Sequence, residues 1–571
     1  MVNVEQVLEA KYPRLKTDYP QLLYRGVVGF LNRLLHVRDI NGFLERYGEY
    51  RGLDFIEKIF EYLNVDYAVK ARDKENIPTS GRVLIVANHP LGALDALALV
   101  KLVGEVRPDV KIVANDVLMQ FDPLHELLIP IDNMNDKISK ASVEKVLDAL
   151  ENDEAVIIFP SGEVSRAGFF GVKDAKWKSG FVFFAKKTGA KILPVYIDAK
   201  NSKLFYVMSF IYKHFSTAML AREMFNKRSR TINFKVGEVI PESVVAFDGI
   251  SSKEKARMMK KHLMRIAKGK EGVFATERCI AHPENRQLIK HELKNSPVLG
   301  MTKDKKAIYL VEYHNAPIIM KELGRLREIS FRKVGEGTGL KRDLDKFDKY
   351  YKHLVLWDDE HLEIVGAYRI GEVDEIVGDK GLDGLYSSTL FAFDEAFMPY
   401  TSGAIELGRS FVQPRYWGSK ALDYLWQGIG AYVKTHPYVK YMYGPVSLSN
   451  SLGKDAINML AYFYALYFPG KAGVVTGRTP HSIPKEEQER LAGIFAGNNY
   501  TEDFKVLKEE LSFYGATVPT LYKQYADIAE PGGVEFFDFN VDHDFGDCVD
   551  GFIMVHIDKI TEAKRKRYIG E

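Results

Sequence analysis

A chain of 571 residues with 46% apolar side chains holds material for two or more ordinary cores and is not a disordered protein. Its 79 Lys and Arg stand against 77 Asp and Glu, so no global charge calls for nucleic acid as a partner. Cys279 and Cys548 are too few for a disulfide framework or a four-ligand zinc site and fit a reducing compartment. No secretory signal pattern opens the chain, and no run reaches the roughly 18 apolar residues of a spanning helix, so a cytoplasmic chain is expected.

Residues 1–80 read as mainly helical. Within them, 22–37 has an apolar pattern interrupted by Arg25, Arg33 and His36, which suits either a helix lying in lipid headgroups or one facing a core. Short apolar strands then alternate with amphipathic helices to about residue 245, an α/β pattern. The run 83–87 leads into Asn88-His89-Pro90-Leu91-Gly92-Ala93-Leu94-Asp95, which presents a histidine on a turn with a carboxylate just beyond. A neutral imidazole takes a proton from a hydroxyl near pH 7, and an aspartate on its other nitrogen fixes the tautomer and steadies the cation that forms. A satisfied structural histidine would show the same pair. A second strand exit follows 155–159 and carries Pro160-Ser161-Gly162-Glu163-Val164-Ser165-Arg166, and 191–195 makes a further strand. The stretch 203–230 mixes Phe205, Tyr206, Phe210, Tyr212 and Phe215 with basic residues, a second interfacial candidate. A basic helix is expected at 251–268, and the polar stretch 276–303, with His282-Pro283 and Asn295-Ser296-Pro297, is expected to link domains at 1–275 and 304–571.

The second half changes character. Strands are expected at 352–357 and 363–370 and helices at about 418–435 and 453–468, with no internal repeat. The closing Lys564-Arg565-Lys566-Arg567 reads as a solvated tail that could also touch anionic lipid. His282, His314 and His353 lack ligand spacing, and no metal is expected.

The ordered blocks at 88–95, 160–166 and 191–195 resemble the glycerolipid acyltransferase family over about residues 60–240. The resemblance implies that His89 and Asp95 are catalytic and that the block at 160–166 binds the acceptor. Five residues separate His89 from Asp95 where the family has four, and Pro160-Ser161-Gly162-Glu163 replaces a Pro-Glu-Gly-Thr string. With Trp177-Lys178-Ser179-Gly180-Phe181, these departures resemble the subgroup that acylates lyso-aminolipids. Later, Arg327-Glu328-Ile329-Ser330-Phe331-Arg332, Asp345-Lys346-Phe347-Asp348, Ile364 to Arg369, and Glu406-Leu407-Gly408-Arg409 resemble the ornithine N-acyltransferase branch of the GNAT superfamily. That likeness implies transfer of a fatty acyl group from acyl carrier protein to an amine. The fold expected is an α/β N-terminal acyltransferase domain plus an α+β GNAT-like C-terminal domain.

Each half then has a chemistry. In the first, His89 deprotonates a hydroxyl, Asp95 orients His89, amides near Gly162 or Gly92 receive the oxyanion, and Glu163 and Arg166 bind the acceptor's head group. In the second, an ammonium must lose a proton before attacking a thioester, and Glu406 is the candidate base. Arg369 and Arg409 could clamp an amino acid carboxylate, with Asp345 and Asp348 orienting the substrate or an arginine; plain salt bridging is the other reading. Arg415-Tyr416-Trp417-Gly418-Ser419-Lys420 keeps part of the GNAT pyrophosphate loop but puts Lys420 where a small residue belongs, which favours an acyl carrier protein donor over acyl-CoA. Together the halves resemble a bifunctional ornithine lipid synthase, needing no bound cofactor and working peripherally on the inner membrane surface. Another amino acid such as glycine as head group, a lysophospholipid acyltransferase with an accessory domain, and a noncatalytic carrier- or membrane-binding module are the alternatives.

Overall fold

The run Val83–Ala87 is buried at every position, as expected of a strand paired on both edges and covered on both faces. Its odd members Val83, Ile85 and Ala87 pack into one apolar core, and Leu84 and Val86 into another on the opposite face, which is the period of two of an extended chain. The computed structural model describes residues 3–11, 16, 20–115, 118–131, 139–168, 171–211, 219–220, 222–227 and 230–570. They divide into two units, Met1–His282 and Pro283–Glu571.

The strands of the first unit are β1 (Asp66–Val69), β2 (Val83–Ala87), β3 (Val110–Asn115), β4 (Leu128–Ile131), β5 (Ala155–Ile158), a small ribbon of β6 (Arg166–Gly168) and β7 (Gly171–Lys173), β8 (Lys191–Asp198) and β9 (Thr231–Val236). Seven form one sheet in the order β1-β9-β8-β2-β5-β3-β4, parallel throughout except between β8 and β9. The expected basic helix is present as Ser252–Ala267, its N-terminus capped by the Ser251 side chain.

The strands of the second unit are β10 (Val298–Met301), β11 (Ala307–Glu312), β12 (Lys352–Asp358), β13 (Glu363–Glu372), β14 (Phe391–Phe393), β15 (Ala404–Val412), β16 (Tyr441–Leu448), β17 (Val475–Gly477), β18 (Val534–Asp542) and β19 (Cys548–His556). Eight make a sheet in the order β10-β11-β12-β13-β15-β16-β19-β18, antiparallel except for β15 against β16.

Two expectations change here. The stretch 276–303 is not a bare linker: it contains the helix Arg286–Leu293 and the edge strand β10, and the unit boundary falls at His282/Pro283. Ile289 and Leu293 are buried, and Glu292 accepts hydrogen bonds from the backbone N–H groups of Ile318 and Ile319, capping the helix Pro317–Lys333. The basic run near the C-terminus is likewise a docked helix, Glu562–Tyr568, where Arg567 and Tyr568 donate to Asp423 at 2.7 and 2.9 Å.

The 22–37 stretch forms the helix Gln21–Leu34, which buries Tyr24 and leaves Leu22, Leu23, Val27 and Phe30 exposed. The 203–230 stretch begins as the helix Lys203–Ile211, burying Phe205 and exposing Leu204 and Val207. The Phe210 side chain, Tyr212 and Phe215 lie outside the described residues. No helix of the described residues is long and apolar enough to cross a membrane.

Candidate active sites

Because β2 and β5 pair in parallel, with Val86 opposite Ile158, the turns that follow them leave the sheet side by side at its carboxyl edge. His89 comes from the first turn. Phe159, from the second, stacks on its ring with centroids 4.1 Å apart. Gly92, at φ +99°, turns the chain into the helix Ala93–Gly104, and a Cβ there would lie 3.4–3.5 Å from Leu220 and Val164. Asp95 sits in the first turn of that helix, fully buried, where the helix dipole favours an anion. One of its oxygens is 3.0 Å from His89 Nδ1, and the other accepts the Leu91 N–H at 2.7 Å. A proton held on Nδ1 toward Asp95 leaves Nε2 with a free lone pair, the arrangement a general base requires. The His89 side chain keeps 16% of its surface exposed, so a substrate can reach it. Burial alone would lower the imidazole pKa, but the charge and hydrogen bond of Asp95, with a smaller contribution from Asp174, leave it raised above the usual histidine value.

The second turn places Gly162 at φ +64°. Glu163 and Arg166 come together as an ion pair at 3.4 Å. Sequence reasoning did not assign a role to Lys178, whose side chain passes 3.8 Å from the position a Cβ on Gly162 would take and whose backbone N–H donates to Pro160 at 2.8 Å. Its signal was the Trp177 to Phe181 string. Lys178 and Arg166 bring two cations to a turn beside His89, a setting for an anionic head group.

In the second unit, β12, β13 and β15 and the helix Pro317–Lys333 bring His353, Arg369, Arg409 and Arg327 into one buried network. Arg327 donates to Asp348 at 2.8 Å, and Arg369 donates to both oxygens of Asp345 at 2.7 and 2.8 Å and to Asp348 at 3.3 Å. Arg327, Arg369 and Asp348 have no exposed surface. The Arg369 guanidinium is flanked by the Tyr386 and Tyr351 rings at 4.8 and 5.1 Å. Burial and the Arg327 charge push the His353 imidazole down to about 3, so it is neutral: Nδ1 accepts from Arg327 at 3.1 Å and Nε2 donates to the Asp348 carbonyl at 3.2 Å. Despite its burial, Asp348 is held well below the usual carboxylate range, chiefly by the charges of Arg327 and Arg369.

Arg409 differs from Arg369 in keeping some exposure. It meets Asp343 at 3.0 Å, donates to the Tyr386 hydroxyl at 2.8 Å, and lies between the rings of Tyr386 and Phe545 at 4.7 and 4.9 Å. Its φ of +48° marks a bulge where the β13–β15 register shifts. There the two parallel strands part: Ala404–Glu406 pair with Tyr441–Tyr443, whereas beyond that β15 stays with β13 and β16 with β19. Gly444 sits at the fork, where a Cβ would fall 2.0 Å from the Leu407 carbonyl oxygen. Glu406, the expected base, is buried and occupied: one oxygen accepts the Ser387 N–H at 2.6 Å, and the other accepts the Tyr386 N–H at 3.1 Å and the Tyr351 hydroxyl. Three buried carboxylates to which sequence reasoning assigned no role gather nearby, Glu336, Asp542 and Asp550. Burial, with Asp542 beside it, pushes Glu336 up to about 7, and burial raises Asp550 well above its usual range. Arg415 lies exposed and paired with Glu363 at 2.8 Å, and Gly418, at φ +75°, and Lys420 lead into the helix Ala421–Thr435.

Residues 6–268 match the family described as Acyltransferase, and residues 326–427 match that described as Acetyltransferase (GNAT) domain. The chain is 36% identical over 303 residues to a Glycine N(alpha)-acyltransferase of Bacteroides thetaiotaomicron, a match spanning 51% of this chain and 89% of that protein. It is 32% identical over 248 residues, 42% of this chain and 89% of the relative, to a Lyso-glycine lipid O-acyltransferase of the same organism. The chain belongs to this family of acyltransferases. An L-ornithine N(alpha)-acyltransferase of Brucella abortus is 30% identical over 141 residues, 22% of this chain and 49% of that protein. The two-domain acyltransferase is thus an enzyme whose His89–Asp95 pair lies within the Acyltransferase match and whose Arg369 and Arg409 lie within the GNAT match.

Proposed function

We propose that the two-domain acyltransferase makes a diacylated aminolipid by two successive transfers. The second unit joins a 3-hydroxyacyl chain to the amino group of an amino acid, and the first esterifies the new hydroxyl with another chain. The observation that carries this reading is the presence in one chain of both a histidine–aspartate base and a GNAT domain, because the product of the amide-forming step has the hydroxyl that the ester-forming step needs.

In the first unit His89 Nε2 takes the hydroxyl proton, the oxygen attacks the thioester carbonyl, and the thiol of the donor leaves. Arg166 and Lys178 hold the acceptor's carboxylate, and Glu163 orients Arg166. In the second unit the parting of β15 and β16 leaves backbone amides free to pair with the amides of a pantetheine arm. Acyl carrier protein is the donor, with Lys420 facing its phosphate or acidic surface. Arg409 receives the amino acid's carboxylate, and Glu336, raised to about 7 beside Asp542, accepts the amine's proton, while Arg369, Asp345 and Asp348 hold the pocket in shape. Glu406 fixes the Tyr386–Ser387 turn that backs Arg409. Glu406→Ala is then expected to lose N-acylation about a hundredfold or more, whereas Glu406→Gln, which keeps an acceptor for the Ser387 N–H, loses only about tenfold. If the glutamine variant were as inactive as the alanine one, Glu406 would be the base itself; single-turnover amide formation by mass spectrometry reads the difference.

Glycine is the head group favoured by the long matches to glycine-named relatives. Ornithine is the second reading, supported by the ornithine-named relative and by the three-carboxylate wall, which would complement a second ammonium. Expression in a bacterium that lacks aminolipids, fed with labelled glycine or labelled ornithine, tests both. An ester-plus-amide lipid carrying one label names the head group, and a labelled-free lipidome with soluble protein present would sink the proposal.

The enzyme works at the inner membrane surface. Leu23, Val27 and Phe30 share one face of the helix Gln21–Leu34, with Leu22 beside them and Arg25 and Arg33 alongside. Inserting each large apolar side chain contributes about 1.5–3 kcal/mol. Leu22→Glu with Phe30→Glu is expected to weaken sedimentation with phosphatidylglycerol vesicles at least about tenfold, with the fold intact because Tyr24 is the buried residue of this helix. Unchanged vesicle binding would move the membrane contact elsewhere.

A further inference from the structure

Asp174 belongs to none of the motifs described above, yet it lies at the junction of the two turns that make the first site. Ser165, buried in the second turn, donates its backbone N–H to the His89 carbonyl at 2.8 Å. Its hydroxyl lies 3.3 Å from the same carbonyl but much closer to Asp174 Oδ1, and a hydroxyl has one proton to give, so that proton goes to the carboxylate. The other carboxylate oxygen accepts Trp177 Nε1–H at 3.1 Å. The backbone is held as well, because Lys260 Nζ donates to the carbonyls of Asp174 at 2.9 Å and Ala175 at 3.1 Å. Trp177 is buried in the apolar core under this loop, next to Phe181. The chain of contacts therefore runs from a rigid core through Trp177, Asp174 and Ser165 to the backbone of the base.

We propose that Asp174 is a positioning residue of the O-acyl transfer, acting in two ways: it anchors Ser165, and through it the His89 backbone, and its charge acts on the imidazole from outside the Asp95 pair. The inference rests on the reading of His89 as the base of that transfer. A mobile Ser165 would let His89 drift on the Pro90–Gly92 turn, and a misplacement of about 1 Å costs up to about a hundredfold in rate. The charge has a separate signature. Asp174 adds to the raised pKa that Asp95 gives His89, and losing it makes the imidazole easier to deprotonate.

The test uses the full chain, a purified N-(3-hydroxyacyl) amino acid as acceptor and an acyl carrier protein thioester as donor, with kcat, KM and the pH–rate profile recorded. Asp174→Asn is expected to lower kcat about tenfold to a hundredfold with KM little changed, and to move the acid limb of the profile to lower pH. Ser165→Ala cuts the tether but keeps the charge, so kcat falls while the limb stays in place, and Asp174→Glu restores the limb. A purely structural aspartate would not move that limb. If Asp174→Asn fails to fold, Ser165→Ala and Trp177→Phe carry the test, a tether role requiring both to lower kcat. Wild-type kcat in Ser165→Ala together with an unmoved limb in Asp174→Asn overturns the proposal. Full activity in His89→Ala would instead overturn the reading on which it stands, and the two failures are thereby distinguished.

Discussion

His89→Ala lowers ester formation by about a hundredfold to ten-thousandfold, the range that a positioned general base contributes, while amide formation continues. The expected outcome in cells is the N-acylated amino acid accumulating in place of the diacylated lipid, because His89 and the proposed amide-forming site lie in separate units. The size of the effect follows from the geometry. Asp95 occupies Nδ1, Phe159 covers one face of the ring, and Nε2 is left as the nitrogen able to take a proton. Asp95→Asn loses the charge that steadies the imidazolium and allows the wrong tautomer, so it shows the same accumulation. The wild-type rate should rise with pH through a midpoint above the ordinary histidine value of about 6.5, since the base must be neutral and its pKa is raised. Lipid mass spectrometry of the variant strain decides: a normal ratio of diacylated to monoacylated product in His89→Ala would remove His89 from the mechanism.

The second large effect is on stability. Arg369→Ala is expected to destabilise the second unit by about 3–5 kcal/mol, the cost of stripping the cation from a buried pair, because Asp345 and Asp348 both receive its guanidinium and Asp348 has no exposed surface. Calorimetry should show that unit melting on the order of 10 °C lower, with ester formation on a supplied acceptor retained by the first unit. Arg369→Lys recovers part of the loss, since an ammonium cannot serve both carboxylates and stack between Tyr386 and Tyr351 as a planar guanidinium does. The same network sets a pH window. His353 is neutral when folded, with its pKa pushed down to about 3. The unfolded chain takes up that proton near pH 6.5, so stability falls as pH drops from about 6.5 toward 3. Asp348 acts with the same sign at lower pH: its folded pKa is depressed, so its contribution is present above the unfolded value near 3.9 and is lost in acid. Arg369→Ala removes one of the charges holding Asp348 down and should bring acid unfolding to higher pH. An unchanged melting temperature would show that the network carries no net stability.

Much of the first site was legible because its parts are local. An apolar run, a Pro–Gly turn and a first-turn aspartate make the His89–Asp95 pair within a few residues, and the second turn follows another apolar run in the same manner. The contacts of Ser165, Asp174 and Lys178 were not legible, since they depend on residues 160–168 and 171–178 meeting at the end of β2. The polar stretch 276–303 looked like a linker because burial of only Ile289 and Leu293 is enough to dock its helix, and its capping role needs Ile318 and Ile319.

Sequence by itself determined the strands and turns that present His89 and Pro160–Arg166, the order of the two domains, and the arginine and aspartate blocks of the second. Tertiary structure alone decided which of those charges are framework and which face the fork between β15 and β16. Arg369 and Arg409 are alike in the sequence, but the first is sealed between Asp345, Asp348 and two tyrosines while the second lies at the bulge where the strands part. Glu406 reads as a free carboxylate until Tyr351, some fifty residues away, and the Tyr386–Ser387 turn close over it. The reason is physical: a side chain's chemistry depends on its desolvation and its partners, and pairing of distant strands sets both.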